Sequence, residues 1–181
     1  MLLKKDNSCL LLIDAQEKLI HHINQSEAVI ARCEWLMQLA TQLDVPQIIS
    51  EQYPQGLGHT IAPLTAVIPT HAPIDKVHFS CWREPRFKTQ LEAINRKQLV
   101  LIGIEAHVCV LQSAMDLLAA GFEVFVVVDA VGSRHELDYK YGLKRMKQAG
   151  IQLVTAEMVF FEWLEHSKIP GFKELSKQFL Q

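Results

Sequence analysis

Six short apolar runs, separated by longer segments of helical periodicity, constrain the fold of this chain more than any other feature. They cover residues 8–13, 45–50, 74–80, 98–102, 122–128 and 151–155. The first, fourth and fifth are nearly unbroken Leu, Ile, Val and Phe, the pattern of strands buried on both faces. Between runs one and two, Ala28, Val29, Ala31, Trp35, Leu36, Leu39 and Leu43 recur close to the 3.6-residue period, with Ser26 as the expected N-cap. Further helices are expected over residues 85–95, 108–120 and 138–148, the last two closed by Gly121 and Gly150. Strands alternating with helices imply an α/β protein: a three-layer α/β/α Rossmann-like fold with a six-stranded, mostly parallel sheet in the order 3-2-1-4-5-6.

The 181 residues, 49% hydrophobic, suit a single domain over residues 1–181. Eighteen Lys and Arg against twenty Asp and Glu leave a formal charge of −2. No basic stripe is present, so nucleic acid is not an expected partner. No apolar stretch approaches the roughly 20 residues of a membrane span, and residues 1–6 lack the pattern of a signal peptide. A cytoplasmic location without membrane partners is the expectation. The four cysteines, Cys9, Cys33, Cys81 and Cys109, form neither a disulfide framework nor a CxxC metal pair. Cys9 and Cys33 lie within apolar patterns that read as packing.

The chemistry-bearing residues fall at strand ends. Cys109 follows the fourth run in Gly103-Ile-Glu-Ala-His-Val-Cys-Val and is expected to open a helix, where free N–H groups and the helix dipole favour a thiolate. Asp14 ends the first run, and Lys76 lies in or at the end of the third. Ligands of open α/β sheets bind beyond the carboxyl ends of strands where the strand order reverses, so Asp14 and Cys109 are expected to converge there, with Lys76 beside them. A carboxylate, an ammonium and a thiol supply an acid–base group, a stabilising charge and a nucleophile. Residues 51–71 read as a long loop that either lines the site or is solvated, which makes Tyr53, Leu57 and His59 pocket or interface candidates. The aromatic C-terminal segments, residues 158–164 and 172–180, read either as a lid packed on the core or as a subunit interface.

Four segments taken together resemble the isochorismatase-like cysteine hydrolases: Leu-Leu-Ile-Asp14-Ala-Gln16, Lys76-Val-His-Phe-Ser80, the stretch from Gly103 to Val110, and Gly121-Phe-Glu-Val-Phe-Val-Val-Val-Asp129-Ala. The resemblance spans nearly the whole chain. It implies Cys109 as nucleophile, Asp14 as general base and acid, and Lys76 as electrostatic support. It also implies a non-proline cis peptide at Ile104–Glu105, and the amides of Glu105 and Cys109 as the oxyanion hole. The substrate would be a small molecule with an amide-type C–N bond, bound near Gln16, Tyr53, Phe79, Trp82 and Trp163. Nicotinamidases of this family carry Asp-x-His and a further His after the second strand to hold a metal. Here the sequence is Ser50-Glu51-Gln52-Tyr53-Pro54, with only scattered His59 and His71, so neither metal nor cofactor is expected. A homo-oligomer is. A second reading is a non-catalytic oligomeric interaction protein that retains the fold. A dinucleotide-binding module has no support, since no GxGxxG follows the first strand.

Overall fold

The computed structural model describes residues 1–68 and 72–180, so His71 lies outside the described residues. Its elements, in chain order, are β1 (Ser8–Ile13), α1 (Glu17–Ile20), α2 (Ser26–Gln42), β2 (Gln47–Gln52), α3 (Pro54–Leu57), α4 (Ala62–Thr65), β3 (Ile74–Lys76) and α5 (Pro85–Ile94). There follow β4 (Gln98–Ile104), a π-helical turn (Ala106–Val110), α6 (Leu111–Ala119), β5 (Glu123–Gly132), α7 (Glu136–Gln148), β6 (Gln152–Val154), α8 (Ala156–Leu164) and α9 (Phe172–Phe179). The six strands form one sheet in the order β3-β2-β1-β4-β5-β6, every neighbouring pair parallel. That is the order expected from the sequence.

Period-two alternation divides the strands between two apolar cores. Leu10 and Leu12 of β1, Val100 and Ile102 of β4, and Phe125 and Val127 of β5 face α2, α4, α8 and α9. Cys9, Leu11 and Ile13, Leu99 and Leu101, and Val124 and Val126 face α5, α6 and α7. The C-terminal aromatics close the first core: Phe160 and Phe179 cluster with Trp35, while Met158 and Phe161 stay outside.

Some boundaries differ from expectation. Ser26 is the first helical residue of α2, and the cap position falls on Gln25, in the left-handed region at φ 54°. The third strand stops at Lys76, because the chain turns there to wrap its own ammonium. Cys109 sits inside the π turn ahead of α6, so it does not open a regular helix. The Ile104–Glu105 peptide is cis. Gly103, at φ 109°, pairs with Ile13, and a Cβ there would lie on the Ile13 carbonyl oxygen, so β4 passes β1 this closely only with glycine at the crossing.

Candidate active site

The parallel register carries the chemistry to one place. Strands β3, β2, β1 and β4 are consecutive in the sheet, and their carboxyl ends deliver Lys76, Ser50 with Gln52, Asp14, and the turn bearing Cys109. Asp14 leaves β1 at φ 50°, its N–H bonded to the Ser50 carbonyl, and its carboxyl group is fully buried. Ser50 Oγ donates to Asp14 Oδ1 at 2.8 Å. Lys76 Nζ lies 2.7 Å from Asp14 Oδ2, both side chains at 0% exposure.

Lys76 has three N–H donors, and they go elsewhere. They reach Gln52 Oε1 at 2.7 Å, the Phe79 carbonyl at 3.0 Å and the His78 carbonyl at 3.2 Å. The contact to Asp14 is therefore one of charge at close range, and Asp14 Oδ2 is left buried without a hydrogen-bond donor among the described residues. The Cys109 side chain, 7% exposed, interacts with both Asp14 and Lys76.

These surroundings oppose the thiolate expected from the sequence. Burial above all, then the Asp14 charge, pushes the Cys109 thiol up, and the Lys76 ammonium only partly offsets them. Burial also raises Asp14 against the pull of the Lys76 ammonium and the bond from the Ser50 hydroxyl. The resting set is a neutral thiol beside a buried ion pair. Moving one proton from Cys109 to Asp14 leaves the net charge of the set unchanged, so the two groups titrate as a unit.

The turn itself is clamped from outside. Val108 and Val110 donate their N–H groups to the Glu105 carbonyl. The Glu105 carboxylate takes three bonds from Arg134, from N, Nε and Nη2, at 3.0–3.1 Å. His107 Nδ1 meets Ser133 Oγ at 2.9 Å. Gly142 of α7 lies so close that a Cβ would stand 3.0 Å from His107 Cα.

Several expected pocket residues take other places. Gln16 is fully buried, and its amide is spent on backbone: Oε1 accepts the Gln52 N–H, and Nε2 donates to the carbonyls of Gln52 and Gly58. Trp82 is half-buried, its ring edge-on to Phe122 at the amino-terminal approach to β5 and stacked under Lys88. Trp163 is buried at the start of β1, donating to Ser8 Oγ. Both therefore point away from the carboxyl strand ends. Tyr53 and Phe79 are about half exposed, on the segments that follow β2 and β3. Leu57 is half-buried at the end of α3. His59 is exposed and pairs with Glu51, whose other oxygen takes the Thr60 N–H and hydroxyl. Among the described residues, no three His, Cys, Asp or Glu side chains gather as a metal site.

Sequence reasoning missed Ser50, Gln52, Ser133 and Arg134. The segment Ser50-Glu51-Gln52 drew notice only as a departure from a metal motif.

Residues 8–158 match the Isochorismatase domain family. The chain belongs to that family. Isochorismatase domain-containing protein 2 of Danio rerio is 39% identical over 175 residues, covering 97% of this chain and 88% of its own length. The MAR1 ribonuclease structure from Caenorhabditis elegans superposes with a TM-score of 0.93 at 40% identity, over 100% of this chain and 93% of that one. YcaC of Escherichia coli, an octameric hydrolase of unknown specificity, gives 0.92 at 28% identity, over 99% and 91%. The isochorismatase family supplies a hydrolase fold, and this member carries a buried carboxyl, a buried amine and a buried thiol beyond the carboxyl ends of its strands.

Proposed function

We propose that the protein is a metal-independent cysteine hydrolase that cleaves an amide-type C–N bond in a small molecule. The observation that carries this reading is the buried Lys76–Asp14 pair beside the Cys109 thiol, with Asp14 Oδ2 accepting no hydrogen bond of good geometry among the described residues. Cys109 Sγ attacks the substrate carbonyl while its proton passes to Asp14 Oδ2. The carbonyl oxygen becomes an oxyanion held by the Glu105 and Cys109 N–H groups, a donor pair of which each member is worth on the order of 10²–10³ in rate. The C–N bond then breaks, Asp14 returns the proton to the leaving amine, and a thioester remains. Water adds to the thioester as Asp14 takes its proton. The C–S bond breaks, the acid leaves, and the proton returns to sulfur. Lys76 keeps the set neutral at each proton position.

Tyr53 and Phe79 form the apolar rim of the pocket in this reading. Four free thiols suit a reducing cytoplasm. The exposed Val77 and Phe79 beside the site suit burial between subunits, so a homo-oligomer is proposed, to be checked by light scattering on the eluting protein. Changing Cys109→Ala should abolish turnover in a screen of small amides while circular dichroism and Tm stay those of wild type. Full activity in that variant sinks the proposal. The ribonuclease name of a neighbour prompts one control in the same screen, RNA cleavage, which the net charge of −2 argues against.

A further inference from the structure

We infer that Gln52 is a positioning residue: by taking one Lys76 N–H in a neutral hydrogen bond, it keeps the ammonium charge on Asp14 while leaving Asp14 Oδ2 free to receive the Cys109 proton. The inference rests on the proposed roles of Asp14, Lys76 and Cys109, and it adds a residue that touches none of the reacting atoms.

Three observations carry it. First, the bond count at Lys76 is complete without Asp14, since Gln52 Oε1, the His78 carbonyl and the Phe79 carbonyl take the three N–H groups. Gln52 Oε1, at 2.7 Å, is the shortest of these three bonds. Second, the Gln52 amide can face only one way. Its Nε2 donates to the Val77 carbonyl at 2.9 Å, and an ammonium can only donate, so Oε1 must be the end that meets Lys76. Third, the backbone that aims this side chain is pinned on both sides by Gln16, whose amide binds the Gln52 N–H at 2.7 Å and the Gln52 carbonyl at 2.9 Å. Gln16 thus supports the site at one remove.

The neighbour in sequence sharpens the point. Glu51 and Gln52 project to opposite sides of β2, as successive strand residues must. The carboxylate is turned to Thr60 and His59, and the amide to Lys76. The charged residue is kept off the ammonium and the neutral one placed on it. Lys76 therefore has one countercharge, and the set sums to zero with the thiol protonated. The other titratable group around the set is Cys81, on the loop after β3, while His107 on the turn is bonded to Ser133. Beyond them stand the pairs Glu105–Arg134, His78–Glu84 and His59–Glu51.

The two simplest substitutions at Gln52 then move the site in opposite directions. Gln52→Glu adds a second carboxylate against Lys76, so the Asp14–Cys109 unit holds its proton to higher pH. Gln52→Met releases one N–H, which turns to Asp14 Oδ2, stabilises the carboxylate and lowers the pH at which the unit lets its proton go. A side chain that only fills space gives no such opposed pair.

The experiment needs no substrate. Intact protein is alkylated with iodoacetamide from pH 5 to 10, and labelling at Cys109 is followed by peptide mass mapping in wild type, Gln52→Glu and Gln52→Met. Far-ultraviolet circular dichroism and silence at Cys81 report that the fold is kept. The expected result is a labelling midpoint that rises in Gln52→Glu and falls in Gln52→Met. At a pH below the wild-type midpoint, the shift in Gln52→Glu gives on the order of tenfold slower labelling for each unit moved. Midpoints equal to wild type in folded variants, or shifted the same way in both, overturn the inference while leaving the cysteine-hydrolase reading intact. Should Gln52→Glu not fold, the direction in Gln52→Met decides alone. A wild-type Cys109 that never labels sinks the hydrolase reading and this inference with it.

Discussion

The two oxygens of Asp14 do different work. Oδ1 is held by the Ser50 hydroxyl, and Oδ2 faces the Lys76 ammonium with no hydrogen bond of its own among the described residues. A buried carboxylate in that position depends on its partner: removing one member of a buried pair typically costs about 3–5 kcal/mol. Lys76→Met should therefore destabilise the protein by about that amount near pH 7. Because the Asp14 pKa in the folded chain lies above its ordinary value, the fold favours the protonated acid. The loss should shrink as pH falls and grow as pH rises through that raised value, which urea titrations at several pH values would show. For the same reason the acid limb of kcat/KM should lie above the ordinary carboxylate value of 3.8, and the alkaline limb above the ordinary thiol value of 9.0. A pH–rate profile on an amide that passes the screen for the proposed activity checks both. Asp14, Lys76 and Cys109 were legible as candidates because they lie at, in and just after apolar runs and fit the family pattern. Ser50 and Gln52 were not, since neutral polar residues at a strand end read as ordinary surface until their partners are known. Trp82 and Trp163 take other places because the sequence does not say which end of the sheet a ring faces.

Between residue and fold, the turn that carries Cys109 is shaped by α7 as much as by its own sequence. The run of apolar residues from Val108 onward continues at helical spacing, so nothing in it announced a π turn, and the packing that holds it is long-range. Gly142 is the point of contact: a Cβ there would sit 3.0 Å from His107 Cα, 3.1 Å from His107 Cβ and 3.3 Å from the Ala106 carbonyl oxygen. Replacing an interior helical glycine by alanine ordinarily gains up to about 1 kcal/mol. Gly142→Ala should gain little of that, because the turn must give by a few tenths of an ångström. The expected signature is a Tm close to wild type with a clear fall in kcat, read by thermal melts and kinetics on one preparation. At Gly103 the obstacle is the backbone of β1, which cannot give, so Gly103→Ala should leave little folded protein in the soluble fraction.

For the molecule as a whole, strands alternating with helices made a parallel sheet of doubly wound order readable, because strands buried on both faces leave continuous apolar runs. The fate of the C-terminal aromatics was open in the sequence, and the structure gives most of them to the core. Burial holds Cys9, Cys33 and Cys81 up at about 12, against 9.0 for a free thiol. Raised folded values mean stability that is complete below pH 9 and lost as pH climbs from there towards 12. Each thiol contributes a slope of about 1.4 kcal/mol per pH unit. Reversible melts between pH 8 and 10.5 should show this fall, and Cys33→Ala should flatten it. The sheet also divides the protein's liabilities. Cys109 and the turn beneath it belong to the core on the α5–α7 side, whereas α9 closes the core on the opposite side. A cargo fused beyond α9, or charges changed on that helix's exposed face, should thus leave the candidate site on the far side of the sheet undisturbed.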